Sequence, residues 1–463
     1  MTRTTPTIRR RRRAIATGLA AAAAVGAAGF GTAHATTDAG AETVTISVSN
    51  LPPATESGAR EAFLERVDQF EAANPNIHVE PSEYEWDVAT FAANLAGGTM
   101  PTVFQMAFTD TLGVVERDQV ADITAEVRAL PYAADFNPNV LSVAQDTAGN
   151  IYGVPIAAYG IGLHYNRQLF EEAGLDPDKP PTTWDEVRAD AKAIADATGQ
   201  AGYAQMTQNN TGGWMLTSLS DAFGGRLQTL NDDGSIDVTI DNPGTTKALE
   251  YLQSLRWDDN SMGSNFLLDW GTINQAFAGG QVGMYMSGSD VYNSLVTENE
   301  IDPDSYGLTV LPLDGADAGV LAGGTIASIV ADATDAERAA GVKWIDFYYM
   351  SKLTDQDAAV ADAQALVAND APVGTPALPI FSREQLAQSD AWVADFVNVP
   401  QAQMAGFRDN IFDQALVPEP PSHAQEMYAI LDSVVQTVLT DKGADVAALL
   451  TQADADVTAL VEG

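Results

Sequence analysis

Residues 150–194 carry the sequence NIYGVPIAAYGIGLHYNRQLFEEAGLDPDKPPTTWDEVRADAKAI. The pattern predicts a strand, a turn, a second strand, a short helix, a proline-rich turn and a longer helix. The longer helix has a capping box, because the Thr183 hydroxyl can accept from the Glu186 backbone while the Glu186 side chain reaches back. Its predicted buried positions are Trp184, Val187, Ala191 and Ile194. The segment therefore predicts an α/β protein.

Upstream, strands and helices alternate in the predicted pattern. The predicted elements are a strand at Val44–Val48, a helix at Ala59–Phe70, a strand at Ile77–Glu80, a helix at Val88–Leu95 and a strand at Val103–Met106. Such a series implies a mainly parallel sheet with helices on both faces. Downstream, Asn242-Pro243 and Thr334 to Glu337 predict two further capped helices. The chain of 463 residues exceeds the ~250–300 residues of one core, so two lobes are expected.

The N-terminus has the features of an export signal. Five arginines at 9–13 precede a short apolar run, and Ala33-His34-Ala35 forms a small-residue cleavage site. We expect residues 1–35 to be an export signal peptide that is removed after Ala35. Arg12-Arg13 also fits a twin-arginine signal, and an ordinary secretory signal remains the alternative. No other run of about 18 apolar residues occurs, so no membrane span is predicted.

Composition excludes some classes of protein. The chain contains no cysteine, so stability comes without disulfides and no lipid anchor can be attached through cysteine. Its formal net charge of −40 repels nucleic acid and anionic membranes, so no nucleic-acid partner is expected. The expected location is extracellular or periplasmic.

Catalytic and metal-binding motifs were not found in the sequence. It contains no nucleophile elbow, P-loop, zinc-protease motif or dinucleotide fingerprint. His78, His164 and His423 are too far apart in sequence for a recognisable metal motif. We therefore expect no catalytic residue, no metal and no cofactor. A carboxylate pair for glycan hydrolysis stays open because the chain has 63 acidic residues.

Several predicted loops combine an aromatic ring with amides or carboxylates. Sugars offer C–H faces that pack on rings and hydroxyls that bond to fixed polar groups. The loops with both features are Glu85–Asp87, Gln105–Asp110, Asn209–Trp214 and Asp269–Gly271. They predict a sugar site, although an aromatic residue near an acid is also common in simple packing.

The order of short motifs resembles the extracellular solute-binding proteins of ATP-driven carbohydrate importers, the maltose-binding-like group. The motifs are FEAANPNI at 70–77, GGTMPTVF at 97–104, the 152–184 run, AFAGGQVGM at 276–284 and LPLDG at 311–315. This resemblance implies a two-lobed periplasmic-binding-protein-like fold (type II), with ligand in the interlobe cleft. It implies lobe one at 42–155 plus 309–360 and lobe two at 156–308 plus 361–463.

The resemblance and the aromatic loops together give fifteen candidate ligand-binding residues. They are Asn50, Trp86, Asp87, Gln105, Phe108, Asp110, Tyr159, Asn210, Trp214, Trp270, Ser287, Asp290, Gly323, Gly324 and Tyr428. At Asp290 the chain departs from the group, in which an aromatic motif is common. That departure removes one expected stacking ring and argues against a long oligosaccharide.

The resemblance implies a monomeric binding component that closes about a hinge and delivers a mono- or oligosaccharide to membrane permease subunits. Two alternatives stay open at this point. One is a binding protein for a non-sugar solute, such as a polyol, glycerophosphodiester, amino acid or polyamine. The other is a secreted glycan-active enzyme.

Overall fold

A computed structural model describes residues 43–87, 90–231 and 235–463, and Thr43–Gly463 form one compact unit. The predicted export signal lies outside the described residues. The strands are β1 (Val44–Val48), β2 (Ile77–Pro81), β3 (Val103–Ala107), β4 (Gly153–Asn166), β5 (Gln228–Leu230), β6 (Ile236–Val238), β7 (Met284–Gly288), β8 (Tyr306–Val310), β9 (Val320–Ile329) and β10 (Leu416–Pro418).

Helices cover both faces of the strands and make up most of the C-terminal third. They are α1 (Ser57–Ala73), α2 (Phe91–Ala96), α3 (Thr111–Glu116), α4 (Thr124–Arg128), α5 (Pro138–Leu141), α6 (Arg167–Glu172), α7 (Trp184–Thr198), α8 (Thr211–Ala222), α9 (Pro243–Gln253), α10 (Trp270–Ala278), α11 (Tyr292–Thr297), α12 (Asp335–Ile345), α13 (Ser351–Thr354), α14 (Gln356–Ala368), α15 (Arg383–Val393), α16 (Ala405–Arg408), α17 (Ala424–Thr440) and α18 (Val446–Glu462). Within the described ranges, no helix is long and apolar enough to cross a membrane.

The N-terminal elements form in the predicted order. Strand β1 pairs in parallel with β2 on one side and β3 on the other. Helix α1 buries Phe63, Val67 and Phe70, the face expected from their spacing. These three parallel strands confirm the β-α-β series that the apolar pattern predicts.

Two long strands extend the sheet beyond this parallel part. Strand β9 runs antiparallel to β3, and β4 runs antiparallel to β9. The first half of the 14-residue strand β4 pairs with β9, while its second half lies between β7 and β8. Its register shifts between Pro155 and Ala157, where the predicted lobe boundary falls. One continuous strand therefore connects the two parts of the sheet, and the predicted turn between two strands is wrong, since the chain has only this register shift there.

Strands β3 and β10 approach the same place on β9 from opposite directions. Strand β3 is antiparallel to β9, and its last residue, Ala107, pairs with Thr325. Strand β10 is parallel to β9, and its last residue, Pro418, pairs with Ala322. Their carboxyl ends therefore converge on the middle of β9. Ligands of α/β sheets bind outside the carboxyl ends of strands, so this convergence is a natural place for a site.

Helix caps follow the sequence closely. Thr183 and Thr334 each form the predicted capping box, and Asn242 accepts from the Thr245 backbone N–H with Pro243 in the first turn. These local signals fix where α7, α9 and α12 begin, and hence which faces pack inward.

Candidate functional site

A cavity of about 220 Å³ lies where β3 and β10 converge, and we call it the aromatic cavity. Five of its wall residues have aromatic rings, and most of the others carry amides, hydroxyls or a carboxylate. Its walls are formed by Trp86, Ala107, Phe108, Thr109, Tyr159, Asn209, Asn210, Thr211, Trp214, Gly324, Glu419, Gln425 and Tyr428. The cavity therefore offers both flat apolar faces and polar groups.

One wall follows the end of β3. Phe108 and Thr109 come directly after the strand and line the cavity. The Trp86 indole N–H donates to Asp110 Oδ2 at 2.8 Å, which holds the Trp86 ring against this wall. Burial raises the pKa of Asp110 to about 6, although the bond from Trp86 opposes that rise.

Two glycines of β9 let aromatic side chains approach the backbone. A Cβ at Gly323 would lie 2.3 Å from the Tyr159 hydroxyl oxygen. A Cβ at Gly324 would lie 2.7 Å from the Phe108 ring and 2.2 Å from the Ala157 carbonyl oxygen. Because Gly has no side chain, the Tyr159 and Phe108 rings can lie against the strand at the cavity floor.

The opposite wall is built on the start of α8. Asn209 and Asn210 have φ values of 56° and 67°, a conformation that Asn tolerates better than most residues. Asp432 of α17 accepts from the backbone N–H groups of Asn210 at 2.8 Å and Gly213 at 2.9 Å. A carboxylate from a neighbouring helix thus caps α8 and places Trp214 one turn further on.

Four of the wall residues form a cluster: Trp214, Tyr159, Tyr428 and Glu419. The Tyr159 and Trp214 rings pack edge to face, with centroids 5.9 Å apart. The Tyr428 hydroxyl donates to the Glu419 carboxylate. The Tyr159 hydroxyl and the Trp214 indole N–H also lie near this carboxylate, yet the indole N–H has no hydrogen-bond partner of normal geometry in the described residues.

Glu419 is the buried acid of this cavity. Burial raises its pKa to about 7, and the hydrogen bond from Tyr428 is the largest effect in the opposite direction. The described wall residues include no Lys, Arg or His, so no cation faces this carboxylate across the cavity. The cavity is thus suited to hydroxyl or cationic groups rather than to anions.

Seven of the fifteen candidate residues line the aromatic cavity: Trp86, Phe108, Tyr159, Asn210, Trp214, Gly324 and Tyr428. Three more lie beside it. Asp110 binds Trp86, and Gly323 faces Tyr159. The third is Asp290. Burial is the main cause that raises the Tyr159 pKa, and the Glu419 and Asp290 carboxylates raise it further. Asp290 also lies beside the Tyr159 ring, since a Cβ at Gly288 would meet both.

The other five candidates do not line the cavity. Ser287 is fully buried in β7, where its carbonyl oxygen accepts from His164 Nε2, and it does not line the cavity. Gln105 donates to the Tyr349 hydroxyl at 2.7 Å, and Asp87 accepts from Thr90. Asn50 is held by a backbone bond to Tyr84. Trp270 begins α10 and packs on the core from outside the cavity.

Sequence reasoning missed other wall residues, among them Glu419, Thr109 and Gln425. The one local signal for Glu419 is its position between Pro418 and Pro420, which restrict the backbone of the loop. Within the described ranges, no group of three His, Cys, Asp or Glu side chains is arranged to hold a metal ion.

A second cavity of about 420 Å³ adjoins the first, and we call it the adjoining cavity. The two share Phe108, Thr109 and Glu419 as wall residues. Its other walls come from the turn at 142–145, from α8 and the segment at 226–230, and from β10 with the prolines that follow. The two cavities therefore lie on either side of the same three wall residues.

Comparisons with known proteins agree with this architecture. The family model described as bacterial extracellular solute-binding protein matches residues 65–373, about two thirds of the chain. The sn-glycerol-3-phosphate-binding periplasmic protein UgpB of Yersinia pestis is 26% identical over 197 residues, which cover 41% of this chain. The chain spans 42% of that relative's length.

Two solved structures share the fold across most of both chains. The cyclic α-maltosyl-1,6-maltose binding protein from Arthrobacter globiformis is 22% identical, with a TM-score of 0.68 and coverage of 90% of this chain and 99% of that one. UgpB from Mycobacterium tuberculosis, in complex with glycerophosphocholine, is 18% identical, with a TM-score of 0.68 and coverage of 91% and 99%. The expected two-lobed α/β fold is confirmed, and the chain belongs to the bacterial extracellular solute-binding proteins.

Proposed function

We propose that the protein is the substrate-binding component of an ATP-driven importer and that its ligand is an uncharged polyhydroxylated solute, a sugar or polyol. The observation that carries this proposal is the aromatic cavity, where five rings and several polar side chains converge at the carboxyl ends of β3 and β10. Rings pack on sugar C–H faces, and amide, hydroxyl and carboxylate groups bond to sugar hydroxyls.

Charge argues against an anionic ligand in this cavity. The described wall residues include no basic side chain, and Glu419 would repel a phosphate. The N-terminus of α8 would otherwise attract an anion, but Asp432 already bonds to its backbone N–H groups. We therefore favour a neutral solute over glycerol phosphate.

Binding would operate by closure of the two proposed lobes, 42–155 plus 309–360 and 156–308 plus 361–463. Trp86 and Phe108 lie on one side of the aromatic cavity, and Asn210 and Trp214 lie on the other. A ligand that touches both sides stabilises the closed form over the open form. The closed, monomeric protein would then dock on the permease subunits after export, for which the twin-arginine route is one candidate.

A ligand screen tests this proposal. Purified residues 36–463 are heated with monosaccharides, disaccharides, polyols, amino acids, spermidine, glycerol 3-phosphate and glycerophosphocholine. We expect a saturable rise in melting temperature with sugars or polyols, because a ligand that binds the folded state alone stabilises it. No shift with any sugar or polyol would overturn the proposal.

Replacing Trp214 tests the aromatic wall. Trp214→Ala is expected to weaken the selected sugar by roughly 1–3 kcal/mol, measured by titration calorimetry, because the ring face is lost. Trp214→Phe keeps a ring face and should lose less of the affinity for the sugar. Trp270→Ala is the matched control, since Trp270 lies outside the cavity. Equal affinity in wild type and Trp214→Ala would remove Trp214 from the binding site.

A cationic solute is the second candidate, and Glu419 is the observation that favours it. A buried carboxylate among aromatic rings, with no basic wall residue, is also suited to an ammonium group. Spermidine in the screen separates the two candidates. A shift with spermidine and none with sugars would select the cation.

We further propose that the protein binds its ligand without changing it chemically. The family consists of solute-binding proteins. After prolonged incubation with the selected sugar, chromatography should recover that sugar intact. Steady loss of the sugar, abolished by Glu419→Gln or Asp110→Asn, would instead show a glycan-active enzyme.

A further inference from the structure

Glu419 lies where several elements of the fold meet. It follows β10 directly, between two prolines that restrict its backbone. The Tyr428 hydroxyl of α17 donates to its carboxylate. The Tyr159 hydroxyl of β4 and the Trp214 indole N–H of α8 lie near the same carboxylate. One acceptor on a restricted loop therefore faces donors from three separate elements.

The three side chains around Glu419 are themselves walls of the aromatic cavity. The Tyr159 and Trp214 rings pack edge to face, and the Tyr428 ring lies on the first turns of the neighbouring helix α17. Hydrogen bonds are directional, so an acceptor that these side chains share restricts the orientation of their rings. The part of the cavity that a ligand would contact therefore depends on a carboxylate behind it.

We propose that Glu419 is a positioning residue of the ligand site and that its ionised form, which attracts the surrounding donors most strongly, is the form that binds ligand tightly. Ligand affinity then rises with pH. This inference rests on the proposed function and adds to it a control of binding by protons.

The charge of the carboxylate determines how firmly the rings are held. Hydrogen bonds to a charged acceptor are roughly twice as strong as those between neutral groups. Protonation removes the charge and converts one of the two oxygens of Glu419 into a donor, so the three neighbouring donors share less acceptor capacity. Burial raises the pKa of Glu419 to about 7, which places this change between pH 6 and pH 8.

The tyrosines that face this carboxylate do not titrate with it. Burial raises the pKa of both Tyr159 and Tyr428 well above the ordinary tyrosine value, so both stay protonated between pH 6 and pH 8. Arg226 is the basic residue among the described walls of the adjoining cavity, and it pairs with Asp221 at 3.4 Å. Its guanidinium also donates to two backbone carbonyl oxygens. The guanidinium is therefore engaged by acceptors other than Glu419.

Three aspartates are the competing titratable groups. Asp110 and Asp290 lie beside the aromatic cavity, and Asp221 lies near Glu419 at the end of α8. Burial raises the pKa of all three, and that of Asp110 reaches about 6. A pH dependence of binding therefore has to be assigned by substitution of Glu419 itself.

Calorimetry at pH 6, 7 and 8 tests the inference. The probes are glucose, maltose, trehalose and mannitol, which do not ionise in this range, so any change in affinity comes from the protein. For each probe that binds, we expect the affinity to rise about three- to tenfold from pH 6 to pH 8. Titrations at pH 7 in phosphate and in Tris, whose heats of ionisation differ, should also show that binding releases protons, because the linkage is reciprocal.

Two variants assign the effect to Glu419. Glu419→Gln has the shape of the protonated carboxyl group and does not titrate, so its affinity should be equal at the three pH values and close to that of wild type at pH 6. Tyr428→Phe keeps the ring but removes the hydroxyl that donates to the carboxylate. That bond favours the ionised form, so its loss should move the rise in affinity to higher pH. Glu298→Gln, at an exposed position, is the matched control and should follow wild type.

The melting temperature of each free variant is measured alongside, and the outcomes are distinct. A shift of the rise to higher pH in Tyr428→Phe supports the inference even if Glu419→Gln proves unstable, because a ring that only packs would not move the pH profile. Wild-type affinity that is constant or falls with pH, or a rise that persists in folded Glu419→Gln, would overturn the inference and leave the proposed function intact. Failure of every sugar and polyol at all three pH values would overturn both.

Discussion

Gly213→Ala is expected to lower the free energy of unfolding by about 3 kcal/mol or more. Gly213 lies in the first turn of α8, where that helix crosses α17. A Cβ at this position would lie 2.3 Å from the Tyr428 carbonyl oxygen and 2.4 Å from its Cα. Backbone atoms cannot move aside as a flexible side chain can, so the two helices would have to separate.

Separation of these helices would also disturb the site. Trp214 follows Gly213 directly, Tyr428 supplies the opposing backbone, and Asp432 of α17 caps α8. Moving α8 away from α17 would displace both aromatic rings and break the cap together. We therefore expect weaker ligand binding to accompany the lost stability.

Urea unfolding of wild type and variant provides the measurement. Gly271→Ala is the matched control, because Gly271 also lies in the first turn of a helix, and an added Cβ would meet no atom closer than 3.9 Å. In that helix the same substitution should leave the free energy of unfolding unchanged or raise it by up to about 1 kcal/mol. If both variants unfolded at the wild-type urea concentration, α8 and α17 could not be in the close contact described.

Local signals in the sequence predicted much of the fold. The capping box at Thr183 and the Asn242 cap depend on neighbouring residues alone, and each appears where the sequence places it. The face of α1 follows from helical spacing in the same way. Such features are set within one or two turns of chain, so no long-range information is needed.

Some residues of the aromatic cavity could be predicted for a related reason. Phe108 follows a buried strand, and ligands of α/β sheets gather at the carboxyl ends of strands. Trp86 and Trp214 stood out because each is an aromatic residue in a polar loop. Glu419 was missed because its position depends on the pairing of β10 with β9, across about 100 residues of chain. No local pattern reports that pairing.

Ser287 shows the opposite failure. It precedes a loop at the end of a strand, which favours a site, but β7 pairs with β4 at this level and the buried His164 covers its carbonyl. Gln105 lies on β3 close to the cavity, yet its side chain donates to the Tyr349 hydroxyl, from the π-helical segment Asp346–Met350 that follows α12. In both cases the partner is distant in sequence: His164 bonds to the Ser287 carbonyl oxygen, and Tyr349 bonds to the Gln105 side chain.

Glu419→Gln is expected to remove a pH-dependent loss of stability of roughly 2–3 kcal/mol between pH 5 and pH 8. Burial raises the pKa of Glu419 from 4.5 to about 7 in the folded protein. Below pH 4.5 the carboxyl group is protonated in both the folded and the unfolded state. As the pH rises towards 7, the unfolded chain releases the proton first, so stability falls, and the loss is complete above pH 7.

The glutamine variant isolates this effect. A glutamine carbonyl oxygen can still accept from the Tyr428 hydroxyl, and the side chain does not titrate. The new amide N–H groups need partners in a buried site, which adds a constant cost at every pH. Because that cost is constant, it cancels when the difference between variant and wild type at pH 8 is compared with the difference at pH 5.

Urea unfolding of both proteins at pH 5, 6, 7 and 8 therefore tests the prediction. The stability of the variant relative to wild type should rise with each step up to about pH 7 and change little between pH 7 and 8. The control is Glu298→Gln, a change at an exposed glutamate. Its free energy of unfolding should differ from that of wild type by the same amount at every pH. If the stability of Glu419→Gln also differed from that of wild type by the same amount at every pH, Glu419 would ionise as readily in the folded protein as in the unfolded chain. The contacts of the carboxylate with the Tyr428, Tyr159 and Trp214 side chains would then have to offset the cost of its burial.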